Sequence, residues 1–206
     1  MSDIGNIMRV SPVIPVVTIP DKTDVIALGH ALLHGGVRII EVTLRTQGAL
    51  AAIVELVKTF PEMRVGAGTV WADEQARAVI DSGVAFVVSP GISMPVHEVC
   101  TAASVPLLPG AQTISEMAHW HSVGQEAVKF FPASASGGVA ALKAYSSVLP
   151  ALEFCPTGGI NMSNVREYLD LPSVPCVGGS WVVPESALRD AAWASIEESA
   201  KKVSEL

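Results

Sequence analysis

The chain has 206 residues, half of them hydrophobic and 16% charged, with a formal net charge of -7. The charged share falls below the ~25% usual for soluble domains, which suggests that more than one ordinary surface is buried, as in an oligomer. The acidic balance and the lack of any basic run disfavour a nucleic-acid binder or an anionic-membrane binder.

The length allows a large core and nothing reads as a linker, so residues 1–206 are expected to form a single domain. Residues Met1 to Val10 are mixed and polar, and the apolar stretch after them is broken by Pro12, Pro15 and Pro20. That pattern fits neither a signal peptide nor a membrane span, and a cytoplasmic location is expected. From there, short apolar runs alternate with longer amphipathic ones, the signature of β/α units on a parallel sheet. Strands are predicted over Val13 to Ile19, Val37 to Leu44, Arg64 to Ala67, Ala85 to Ser89, Val105 to Leu108, Ala127 to Phe131, Glu153 to Pro156 and Val174 to Gly178. Helices are predicted to start near Asp21, Gln47, Asp73, Met94, Thr113, Gly138, Asn161 and Glu185. Eight units predict an α/β fold of the (β/α)8 TIM barrel type. Cys100, Cys155 and Cys176 are odd in number and far apart, which supports neither a disulfide framework nor a zinc site.

Lys129 is a lone cation in the apolar run Ala127-Val128-Lys129-Phe130-Phe131-Pro132. Burial makes a charged ammonium costly, and a neutral lysine amine is a nucleophile toward carbonyl carbon. The alternative is a stem packed in the sheet with its head at a carboxylate or the surface. Register favours a partner. Gly36, Gly83 and Gly124 each end a helical stretch just before a strand, as suits a left-handed residue. Five residues beyond Gly36 lies Glu41, and five beyond Gly124 lies Lys129. On the second and sixth strands of a barrel these side chains share a layer near the C-terminal mouth. Period-two alternation places Glu41, Thr43 and Arg45 on one face; the alternative for Glu41 is a buried ion pair with Arg45. Thr69 closes the small-residue segment Val65-Gly66-Ala67-Gly68-Thr69, where a ligand has room.

Thr157-Gly158-Gly159-Ile160-Asn161 follows the seventh strand and Gly178-Gly179-Ser180-Trp181 the eighth. Those two loops often form the phosphate site of this fold, because glycines let backbone N–H groups approach an anion and a helix N-terminus adds favourable partial charge. His30, His34, His97, His119 and His121 fall in helical segments and none closes a strand, which argues against a metal-dependent aldolase; no metal or cofactor is expected.

The segments Glu41-Val42-Thr43-Leu44-Arg45-Thr46, Gly66-Ala67-Gly68-Thr69-Val70, Ser89-Pro90-Gly91, Lys129-Phe130-Phe131-Pro132-Ala133, Cys155-Pro156-Thr157-Gly158-Gly159-Ile160 and Gly178-Gly179-Ser180-Trp181 together resemble the bacterial 2-keto-3-deoxy-6-phosphogluconate aldolase family, whose bifunctional members also cleave 4-hydroxy-2-oxoglutarate. The resemblance spans the second to the eighth strand. It implies a homotrimeric, metal-free class I aldolase acting on a phosphorylated 2-keto acid. It makes Lys129 the Schiff-base lysine and Glu41 the proton-transfer residue. Arg45 and Thr69 become the binders of the pyruvate carboxylate, Pro90 and Phe131 pocket walls, and Thr157, Gly158, Gly159, Gly179 and Ser180 the substrate and phosphate loops. The alternatives are an aldolase for the galactonate epimer, a phosphosugar isomerase or epimerase using an acid-base pair without an imine, and an inactive ligand-binding barrel.

Overall fold

A computed structural model describes residues 3–206. Nine parallel strands are present among them: β1 (Val13–Val17), β2 (Ile39–Thr43), β3 (Arg64–Gly68), β4 (Phe86–Val88), β5 (Leu107–Leu108), β6 (Gly110–Ala111), β7 (Ala127–Phe130), β8 (Glu153–Pro156) and β9 (Val177–Gly179). They form a six-stranded sheet of order β5-β4-β3-β2-β1-β9 and a three-stranded sheet of order β6-β7-β8. A single parallel bridge, Thr157 to Gly178, joins the end of β8 to β9.

The fifth predicted strand is the one that differs most: only its Leu107–Leu108 is strand, and beyond Pro109, which has no N–H to give a ladder, comes a strand that was not predicted, Gly110–Ala111. Leu107–Leu108 pairs with β4 while Gly110–Ala111 pairs with β7, and the Pro109 carbonyl, still an acceptor, takes the Lys129 N–H at 2.8 Å.

The helices are α1 (Asp3–Met8), α2 (Val25–His34), α3 (Ala49–Thr59), α4 (Asp73–Asp81), α5 (Met94–Ala102), α6 (Ile114–Ser122), α7 (Gly138–Val148), α8 (Val165–Leu169), α9 (Glu185–Arg189) and α10 (Trp193–Ser204). Helix α2 starts after Asp24 and not at Asp21, because the Asp24 carboxylate accepts the N–H groups of Ile26 and Ala27 at 3.1 and 3.0 Å, satisfying donors that the first turn leaves free. Helix α6 starts at a capping box in which Glu116 accepts the Gln112 and Thr113 N–H groups at 2.8 and 2.7 Å. Gly36, Gly83 and Gly124 have φ of 84, 83 and 90°, the left-handed turn predicted for them. The final predicted helix is two, broken where Ala191 turns left-handed at φ 50°.

Helix α1 was not predicted: it is six residues long, too short for a clear period. Ile4, Ile7 and Met8 are buried, and the Arg9 guanidinium that follows forms a two-pronged pair with Glu153 at the start of β8. One continuous buried core runs from Ile4 to Val203. It contains all three cysteines, each a free thiol. Burial pushes the Cys100 thiol up to about 11; Cys176 is also pushed up, by its hydrogen bond with Cys155 and by burial. The Cys100 and Cys176 thiols therefore stay protonated.

Candidate active site

Lys129 and Glu41, 88 residues apart in sequence, meet between the two sheets. The Lys129 Nζ donates to Glu41 Oε1 at 2.9 Å and to Oε2 at 3.2 Å, with the two residues 5% and 3% exposed. Glu41 therefore pairs with Lys129, and its alternative partner Arg45 stands exposed at the rim. The pairing depends on strand register: Glu41 lies opposite Gly66 of β3, and Lys129 lies between Gly110 and Cys155 on β6 and β8.

A glycine makes room for the carboxylate. A Cβ on Gly68 would overlap the Glu41 side chain from Cγ to Oε1, so the last residue of β3 has to lack one. Next in sequence, Thr69 has φ 62°, a left-handed conformation that a β-branched residue adopts only under constraint.

Lys129, Glu41, Arg45, Thr69, Pro90, Phe131, Thr157, Gly158, Gly159 and Ser180 line one cavity of about 110 Å³, joined by Val16, Thr43, Ile160 and Gly178. The Phe131 ring centroid stands 5.7 Å from Nζ, a distance at which the ring face attracts a cation. The loops after β7 and β8 are tied by backbone bonds from Ala133 N to Thr157 O (2.7 Å) and from Ser134 N to Gly158 O (3.0 Å). Gly158 and Gly159 take φ of 100 and 76°, and a Cβ on Gly159 would overlap the Ser134 hydroxyl.

One expectation needs correction, and one residue stands outside the wall: Gly179 does not line this cavity, and a Cβ on it would meet the Trp181 ring, while Gly178 lines it, its missing Cβ admitting the Thr157 side chain. The helix expected near Asn161 begins only at Val165. Asn161 to Asn164 instead form a turn, with Asn161 N donating to Asn164 Oδ1 at 2.9 Å and Ser163 N to Asn161 Oδ1 at 2.8 Å. The cavity thus meets glycine backbone and not a helix end. Val16, Ile160 and Gly178 were missed as lining residues. Val16 could have been found by register, since it lies opposite Glu41. All five histidines lie on α2, α5 and α6, away from the cavity wall.

A buried amine in contact with a carboxylate can hand it a proton and become a nucleophile. The carboxylate can return that proton to a neighbouring atom. An arginine fork at the rim can grip a planar carboxylate, and two glycine turns can hold an anion by their backbone.

The sequence matches the profile of the family described as "Aldolase: KDPG and KHG aldolase" over residues 4–199. It is 42% identical over 200 residues to the KHG/KDPG aldolase of Escherichia coli (strain K12), covering 97% of this chain and 94% of that protein. A crystal structure of KDPG aldolase from Legionella pneumophila, with pyruvate captured at low pH as a covalent carbinolamine intermediate, superposes with a TM-score of 0.94 at 44% identity over 97% of each chain. The 2-keto-3-deoxy-6-phosphogluconate aldolase of Zymomonas mobilis with 3-phosphoglycerate gives 0.93 at 40% identity, covering 98% of this chain and 95% of that one.

Proposed function

The chain belongs to the KDPG and KHG aldolase family, and from that membership we propose that it cleaves 2-keto-3-deoxy-6-phosphogluconate to pyruvate and glyceraldehyde 3-phosphate through a lysine Schiff base, and 4-hydroxy-2-oxoglutarate to pyruvate and glyoxylate. It is a carbon–carbon lyase of the class I type. The observation that carries this reading is the Lys129 amine held 2.9 Å from the Glu41 carboxylate in the wall of one cavity.

In this reading the Lys129 ammonium passes a proton to Glu41, and the neutral amine attacks the C2 ketone. Glu41 returns the proton to the carbinolamine oxygen, which leaves as water, and a protonated imine remains as the electron sink. The Glu41 carboxylate then takes the C4 hydroxyl proton while the C3–C4 pair flows into the imine. Glyceraldehyde 3-phosphate departs, Glu41 protonates the enamine at C3, and water releases pyruvate. One group can act as base and then acid in this way because it stays within reach of both atoms. Arg45 and Thr69 hold the pyruvate carboxylate, Pro90 and Phe131 form walls, Gly158, Gly159, Gly179 and Ser180 hold the distal phosphate, and Thr157 contacts the substrate beside them. The cavity is well below the ~300 Å³ at which drug-sized pockets begin, so its closed part suits the small keto-acid end, while the phosphate lies toward the open rim.

We read residues 1–206 as one aldolase domain closed into an eight-stranded barrel. The Thr157 to Gly178 bridge and the unbroken chain from Leu107 to Ala111 support closure. A homotrimer follows the family resemblance, with Trp71 at 54% and Val54 at 46% exposure supporting a buried face in an assembly. A cytoplasmic location suits a highly charged, phosphorylated substrate that does not cross a membrane unaided.

The direct test is borohydride reduction in the presence of pyruvate, with peptide mapping. A stable adduct on Lys129 is expected; an adduct on Lys143 or another lysine, or none, removes the imine mechanism and leaves the isomerase alternative. A second expectation concerns the phosphate. Ser180→Asp sets a carboxylate against it and should lower kcat/KM for the phosphorylated substrate by several-fold to a hundredfold, about 1 to 3 kcal/mol. Cleavage of 4-hydroxy-2-oxoglutarate should fall less. Equal losses on both substrates transfer Ser180 to the shared pyruvate end or to the fold.

A further inference from the structure

Thr43 lines the cavity between Glu41 and Arg45 on the same face of β2, and it is buried to 1%. Its hydroxyl is 2.9 Å from the Thr18 hydroxyl and donates to the Val17 carbonyl at 3.2 Å. A hydroxyl has one proton and two lone pairs. Both bonds are made together only if Thr43 gives its proton to Val17 and accepts one from Thr18. Thr43, a lining residue, is therefore left with one lone pair, and its hydroxyl can take a further partner only as an acceptor.

Strand order says what passes over it. The carboxylate grip sits at the ends of β2 and β3, through Arg45 and Thr69, and the phosphate loops follow β8 and β9. Between them in the order β3-β2-β1-β9 lies only the mouth of β1, whose lining residue Val16 is apolar. With those roles, the middle of a six-carbon substrate crosses there. Glu41 serves the C4 hydroxyl, and Thr43 stands one strand repeat nearer the mouth. The next donor along the substrate is the C5 hydroxyl, which 4-hydroxy-2-oxoglutarate lacks.

Resting on the aldolase reading above, the geometry points to Thr43 as a specificity-determining residue that accepts a hydrogen bond from the C5 hydroxyl of the six-carbon substrate, and to Thr18 as the positioning residue that fixes the Thr43 hydroxyl in its acceptor role. This contact lies at the middle of the substrate, separate from both its ends.

The test runs the reaction in the condensation direction with pyruvate and either glyceraldehyde 3-phosphate, whose C2 hydroxyl becomes the C5 hydroxyl, or 3-oxopropyl phosphate, which has hydrogen there. The wild type should prefer the hydroxylated aldehyde by about three- to tenfold in kcat/KM. T43V should bring that preference close to one, T43S should restore it, and T18V should reduce it partway. Borohydride trapping of pyruvate is measured on each variant. A preference kept in T43V with trapping intact, or no preference in the wild type, overturns the inference and leaves the imine mechanism standing. Absence of trapping in the wild type overturns the aldolase reading itself and this inference with it. Should T43V alone lose trapping, T18V carries the test by the same criterion, because Thr18 stands outside the cavity wall: a full wild-type preference there overturns the inference.

Discussion

Lys129→Ala is expected to lower kcat for cleavage by on the order of 10⁴-fold or more, since it removes the atom that forms the covalent intermediate and no other lysine lines the cavity. Fold damage is the competing explanation and has its own size. Removing one member of a buried ion pair costs about 3 to 5 kcal/mol, because the remaining charge keeps its burial and loses its partner. Lys129→Met separates the two effects, since it fills the same channel with an apolar chain of similar length. Denaturant unfolding should show the methionine variant more stable than the alanine variant, while both remain inactive. If Lys129→Met retains more than a few per cent of wild-type turnover, the lysine is structural and the imine has to be placed elsewhere.

The second large effect is expected at Glu41. Glu41→Gln keeps the shape and one hydrogen-bond acceptor for the Lys129 ammonium, but it cannot take the proton, and general acid–base groups contribute about 10²- to 10⁴-fold. A loss of that size in kcat is expected, with a smaller effect on the affinity for pyruvate. The pH response gives the sign. Without a carboxylate to receive the ammonium proton, the amine has to lose it to solvent, so borohydride trapping of pyruvate should speed up as pH rises, more steeply in the variant than in the wild type. A variant with wild-type kcat and an unchanged pH profile excludes Glu41 as the proton carrier and reduces it to an ion-pair partner.

The meeting of Lys129 with Glu41 was legible because two local signals agreed. Gly36 and Gly124 end helices in the left-handed turn at φ 84 and 90°, and counting outward from such turns fixes which side chain reaches a given layer. The glycine loops were legible by composition, although Gly178 and not Gly179 lines the cavity. Period two in a strand assigns faces, but a three-residue strand such as β9 is too short for the pattern to say which of its glycines lines the cavity. The strand Gly110–Ala111 beyond Pro109 was hidden for a related reason: two residues are too few to show alternation. Helix α1 was unreadable because its stability comes from burial of Ile4, Ile7 and Met8 and from the Arg9 pair with Glu153, a residue 144 positions away. The Thr18 to Thr43 contact is likewise tertiary. Thr43 was placed on the correct face of its strand, but nothing in the spacing says which hydroxyl stands beside it.

The seat beneath Glu41 also bears on how this pocket tolerates change. Gly68 carries no group that could touch a substrate, and a survey of point variants that scored only foldedness would file it with turn glycines. Yet the space it leaves is occupied by a carboxylate, so any side chain at that position competes with Glu41 for the same volume and pushes it off Lys129. Attempts to reshape the cavity for other keto acids therefore have more freedom at the rim, around Arg45 and Ser180, than on the floor. There the smallest residue in the chain sets the position of the most reactive pair.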